Sequence, residues 1–178
     1  MNKNSNAIIA FNISIKGSKA IEKLPCSSLL TALTLTTGTK NYTNSELAQY
    51  LDEHGIKLKT NSSSDTFSIL MQTTKDNLDK ALYILDEVIN KPAFNEYEIE
   101  KIKQRKIQEL KAISDSASSF VFDEFKKQAY LNSIYGENST FVINNIQKVK
   151  KDNVKEFYSR IINPENMTIS VVGDIDEN

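Results

Sequence analysis

Cysteine, histidine, glycine and long apolar runs are all scarce in this chain of 178 residues. A single cysteine, Cys26, excludes an internal disulfide. It reads as a small buried hydrophobe, the usual state of a free cysteine. The single histidine, His54, stands beside Gly55 at the end of a predicted helix, where a cation suits the helix dipole. A catalytic zinc draws three protein ligands from His, Glu, Asp or Cys. Cys26 and His54 have no CxxC or HxxxH spacing to supply them. Without a second histidine or a Gly-x-Ser-x-Gly, nucleophilic catalysis has no recognisable machinery either. The 5 glycines form no phosphate-cradling loop. Neither sign of charge dominates, with 22 Lys+Arg against 23 Asp+Glu and the two interleaved. That leaves no electrostatic footprint for nucleic acid or an anionic membrane. No apolar run approaches the roughly 20 residues that cross a bilayer. The opening MNKNSNAIIAF is also too short in apolar residues for a secretory core of about 7–15. No signal peptide or transmembrane segment is read, and the compartment does not follow from the sequence.

What is present suffices for a packed domain. A chain of this length buries roughly 70% of its unfolded surface, and 39% apolar with 25% charged residues is ordinary globular composition. Ala7–Ile15 alternates, with Ile9, Phe11, Ile13 and Ile15 on one side and Asn12 and Ser14 on the other, as a half-buried strand does. Leu24–Thr39 then carries Leu29, Leu30, Ala32 and Leu33 at helical spacing. Pro25 suits its first turn and Gly38 its end, so a helix is expected near Pro25–Thr36. Thr43-Asn-Ser-Glu46 is a capping box opening a second helix to Glu53, with Leu47, Tyr50 and Leu51 inward.

Two strands joined by a polar turn at Asn61–Asp65 follow. A helix over Asp76–Asn90 is expected to bury Leu78, Ala81, Leu82, Leu85, Val88 and Ile89, and Pro92 stops it. A long helix over Glu96–Ile113 has Tyr97, Ile99, Ile102, Ile107 and Leu110 as its apolar set. Ser116–Ser119 breaks the chain before a helix over Phe120–Leu131 with Val121, Phe122, Phe125 and Ala129. SIYGENSTF reads as a loop, Lys150–Ile161 as an amphipathic helix, and Met167–Val172 as a last strand. Hairpin strands followed by consecutive helices define an α+β class. One polar-leaning face per strand predicts a mixed, mostly antiparallel sheet with helices packed on one face.

The order of these landmarks resembles a half-unit of the insulinase (pitrilysin) family of zinc metallopeptidases, the inverzincins. The resemblance rests on Gly17-Ser18 after the first strand, Gly38-Thr39-Lys40-Asn41 after the first helix, and Thr43–Leu51 with Gly55. It continues through LDKALYILDEVINKPAF, EYEIEKIKQRKIQEL and IYG to FYSRIINPENMTISVVGD. Catalytic members carry His-x-x-Glu-His on the first helix, two zinc ligands and a general base. Counting back from Gly38, the resemblance places those roles at Leu29, Leu33 and Ala32, and the third ligand near Ile102. All are apolar, so it implies no catalytic residue and no metal in this chain, with zinc in a catalytic partner half. Glu109, two turns beyond Ile102, reads as a surface or hinge carboxylate.

Residues 1–178 then form one insulinase-like domain, cut from a longer two-half protein. Its function would be non-catalytic: a chamber wall that helps hold peptide substrate. Some such halves carry an Arg and a Tyr after a Tyr-Gly and His-Pro segment. Here the His-Pro is missing and no Arg follows Tyr135-Gly136 until Arg160, leaving Tyr135 as the one candidate substrate-facing residue, with interior packing as its alternative. The competing reading is a family-derived assembly or peptide-binding module with no part in proteolysis. Expected partners are a catalytic half, peptide substrate and, for the isolated domain, a second copy in a homodimer.

Overall fold

The computed structural model describes residues 8–174. Strand β1, Ile8–Lys16, leads into helices α1, Ser27–Leu35, and α2, Asn44–Glu53. The hairpin of β2, Lys57–Ser62, and β3, Thr66–Thr74, precedes α3, Leu78–Asn90, and α4, Glu96–Lys111. Then come α5, Ala117–Ala129, α6, Ser139–Ile146, α7, Lys151–Ile161, and β4, Met167–Val172. Ala7, included in the first strand by sequence, lies outside the described residues.

The sheet order is β2-β3-β1-β4, and all three pairings are antiparallel. No mixed pairing occurs among the described strands. Ile9, Ile13 and Ile15 of β1 and Phe67, Ile69 and Met71 of β3 are buried beneath the helices. The opposite face carries Asn12, Ser14, Ser68 and Gln72, and none of the described helices packs its apolar stripe there. The α+β class with helices on one side therefore stands.

Local chemistry explains most boundaries. The Thr43 hydroxyl accepts from the Glu46 N–H while the Glu46 carboxylate accepts from the Thr43 N–H, so the capping box forms. Helix α1 starts at Ser27 rather than at Pro25, because Cys26 takes a left-handed φ of 71° and ends the preceding turn. Helix α3 is rotated from the expected stripe. Ile84 and Glu87 are buried with Ala81, Leu85 and Val88, and Leu82 is exposed. In α4, Ile99, Ile102 and Ile107 are buried as expected, but Tyr97 is exposed and Lys103 is buried beside Glu100.

Helix α6 occupies part of the segment read as a loop. The Asn138 side chain accepts from the Phe141 N–H at 3.0 Å, and Val142 and Ile146 enter the core. Gly136 closes the turn before it. A Cβ there would strike the Tyr130 carbonyl.

Candidate functional site

Helix α1 is fixed at both ends. The Glu22 carboxylate accepts from the backbone N–H of Cys26 and of Ser28, each at 2.9 Å, and from the Ser28 hydroxyl at 2.7 Å. A carboxylate at a helix N-terminus satisfies orphan donors and complements the dipole. Burial raises the Glu22 carboxyl above its usual range, against the lowering pull of the Ser28 and Cys26 hydrogen bonds. Burial likewise pushes the Cys26 thiol up to about 12, with Glu22 adding to it, so this thiol stays protonated and inert.

Leu30, Thr31, Ala32, Thr34 and Leu35 are buried within α1. The Thr31 and Thr34 hydroxyls are satisfied inside the helix, each donating at 2.7 Å to the carbonyl four residues back. Leu29 and Leu33 lie half-buried on the remaining face, one turn apart, against the edge of the core. Ala32 is buried, and its carbonyl accepts from the Thr60 hydroxyl of β2 at 2.5 Å. Helix α1 packs on α7, β2 and α4. Ile102 of α4 is buried, whereas Glu109 is exposed and engaged by Arg105 and Lys106. Leu29, Ala32, Leu33 and Ile102 end in carbon and offer a zinc ion no donor atom. Among the described residues no group of three His, Cys, Asp or Glu side chains is arranged to hold a metal.

Beyond α1, Gly38 has a φ of +132°, in the region favoured only by glycine. The loop it opens is tied to the α3–α4 joint. The Lys40 N–H donates to the Lys91 carbonyl at 2.8 Å, and the Ala93 N–H to the Gly38 carbonyl at 3.2 Å. Beneath it lies Glu87, its side chain 1% exposed, which accepts from Lys91 at 2.5 Å and from Asn41 at 2.8 Å, with the Thr39 hydroxyl at 3.4 Å. The Lys91 hydrogen bond, with help from Asn41, holds the Glu87 carboxyl below its ordinary value despite burial. Sequence reasoning overlooked Glu87. The signal was a carboxylate three residues after Ile84 and next to Val88, on the inward face of α3.

Tyr135 does not pack in the interior. It is exposed on the turn before α6, and its hydroxyl donates to the Asp65 carboxylate of the β2–β3 turn at 2.8 Å. That hydrogen bond raises the phenol above its usual value. His54 caps the end of α2 and meets the Tyr50 ring edge-on at 4.5 Å.

Helix α5 is inverted. Asp123 turns inward and accepts from the Ser139 N–H at the start of α6, while Glu124 accepts from Asn138 at 2.8 Å. Val121, Phe122, Phe125 and Ala129, the apolar set read from sequence, face away from the core. Phe122 is 68% and Phe125 62% exposed.

The site thus lies in a domain of four antiparallel strands with helices on one side, its first helix followed by Gly38-Thr39. The family profile described as Insulinase (Peptidase family M16) matches residues 26–139, and the chain belongs to that family. It is 24% identical over 139 residues to an uncharacterized zinc protease of Rickettsia bellii, covering 78% of this chain and 34% of the relative. It is 26% identical over 149 residues to the non-peptidase homolog YmxG of Helicobacter pylori, covering 82% of this chain and 34% of the relative. The chain thus spans about a third of the length of these relatives. In fold it is similar to a peptidase M16 inactive domain from Pseudomonas fluorescens, with a TM-score of 0.87 at 20% identity, covering 98% of this chain and 43% of that one. No helix among the described residues is long and apolar enough to cross a membrane.

Proposed function

We propose that this chain is a non-catalytic unit of an insulinase-family zinc peptidase, forming a wall of the substrate chamber beside a zinc-bearing half. The observation that carries the reading is α1. It keeps the capped, packed helix followed by Gly38-Thr39, yet carries Leu29, Ala32 and Leu33 where the resemblance to catalytic members places ligand, base and ligand. Conservative shape without donors fits a helix retained for architecture. The outward stripe of α5 supports the partnership, since apolar side chains grouped on a surface mark interaction sites. Tyr135 is the residue assigned to peptide contact, its ring exposed and its hydroxyl anchored by Asp65. In this reading residues 1–178 are one domain of a longer two-half protein, and the zinc belongs to the other half.

The test is reconstitution with a unit bearing His-x-x-Glu-His, encoded in the same or an adjacent reading frame. Peptide cleavage by the pair is expected to exceed that of the catalytic unit alone by at least tenfold. Unchanged cleavage on removing this chain would favour the module that has left proteolysis.

A further inference from the structure

Three stretches far apart in the sequence meet around Tyr135. The carbonyl of Asp65, in the turn between β2 and β3, accepts from the Gly17 N–H at 2.7 Å. Lys19, two residues on from Gly17, pairs with Glu137 at 2.6 Å, mostly withdrawn from water. The turn that carries Asp65 is closed by Ser63. Its N–H donates to the Thr66 carbonyl at 2.9 Å, and its hydroxyl accepts from the Thr66 N–H at 3.0 Å. On the facing side the Ser133 carbonyl accepts from the Gly136 N–H at 2.9 Å. The Ser133 hydroxyl accepts from the Tyr135 N–H at 3.3 Å. The backbones on both sides of the Tyr135–Asp65 hydrogen bond are thus anchored to Gly17–Lys19 independently of that bond. Such outside support is what holds a binding group in one orientation.

A phenol has one proton to donate, and an ionised carboxylate only accepts. The Tyr135 hydroxyl reaches both Asp65 oxygens, at 2.9 and 2.8 Å. Hydrogen bonds to a charged acceptor are the strong ones, so this proton is committed. What the Tyr135 oxygen keeps for a ligand is its lone pairs. We propose that Asp65 is a positioning residue that commits the Tyr135 proton, so that Tyr135 meets a peptide as acceptor for a backbone N–H. This role rests on the assignment of Tyr135 to peptide contact and narrows what that contact is. A peptide carbonyl finds no donor in this hydroxyl. The main-chain N–H is the donor that every residue but proline carries, so the contact orients a peptide without selecting its side chains. The raised phenol value agrees, since a proton held by Asp65 is harder to remove.

The pair reconstituted with a His-x-x-Glu-His unit and cleaving a fluorogenic peptide gives the readout. Tyr135→Phe and Asp65→Asn should each raise KM roughly tenfold with kcat kept, the mark of lost uniform binding. The double variant should be no worse than Tyr135→Phe alone, because Asp65 acts only through Tyr135. Peptide N–H groups are then replaced by N–CH3 one at a time. At one position wild type should lose about tenfold in KM while Tyr135→Phe loses nothing further. Asp65 lies exposed in a turn that accepts asparagine, so Asp65→Asn should keep the wild-type circular dichroism. Difference spectrophotometry against Tyr135→Phe should find the Tyr135 phenol ionising at lower pH in Asp65→Asn. An unmoved phenol, or a KM raised by Tyr135→Phe but not by Asp65→Asn, overturns the role of Asp65 and leaves the Tyr135 contact standing. A methylation scan with no position that distinguishes wild type from Tyr135→Phe overturns the acceptor role. An unchanged KM in Tyr135→Phe removes the peptide contact itself, and this role with it.

Discussion

Glu87 shows how one side chain ties the end of α1 to the rest of the fold. Its carboxylate, out of contact with water, gathers Lys91, Asn41 and Thr39 beneath the Gly38–Thr39 loop. Removing this acceptor leaves the buried Thr39 hydroxyl without its carboxylate, while exposed Asn41 and half-exposed Lys91 can turn to water, a loss of about 1 kcal/mol. The pH dependence has a definite sign. The folded value lies below the ordinary 4.5, so Glu87 adds stability above 4.5 that is lost as pH falls through the folded value. Glu22 works the other way, since its folded value is raised, and its contribution is present below 4.5 and lost as pH rises. Glu87→Gln is therefore expected to unfold at lower denaturant than wild type at neutral pH, with the gap closing on acidification. Urea titrations at neutral pH and at about pH 3 check this, and a gap that persists unchanged in acid would refute the role of ionised Glu87. Nothing in local propensity marks a carboxylate as buried. Lys91 is local, one helical turn on, but Asn41 and Thr39 come from a loop more than forty residues earlier, which sequence periodicity does not reach.

At the scale of elements, sequence periodicity locates a face but not the side on which it lies. The set Val121, Phe122, Phe125 and Ala129 is legible as a helical stripe, yet α5 presents it to solvent because Asp123 and Glu124 are needed at the start of α6. The usual rule for aromatic truncation is thereby reversed. Phe122→Ser with Phe125→Ser should change the stability of the isolated chain by no more than about 0.5 kcal/mol, the ordinary range for surface substitutions. The same pair should abolish binding to the catalytic unit in a pull-down. A large drop in melting temperature would show that the stripe packs on this chain's own core. Helix α6 escaped notice because its cap, Asn138, sits in a polar run that reads equally as a turn. The capping box of α2 was legible because both of its members are local. The rotation of α3, which exposes Leu82 and buries Ile84, follows from packing against β3 rather than from its own spacing.

For the whole molecule, the order of strands and helices was legible and led to the insulinase family, to which the chain belongs. The all-antiparallel pairing was less so, since strand partners lie up to about 160 residues apart, as Ala10 and Val172 do. Two surfaces now stand out: the leucine-lined α1 and the inverted α5. In the proposed reading the first is a silent metal site and the second faces a catalytic half. The central claim is that α1 keeps the architecture of a zinc helix without its chemistry. The most direct measurement is the zinc content of the purified chain after equilibration with zinc and desalting. Far less than one zinc per chain is expected, and one chelator-removable zinc per chain would contradict the account.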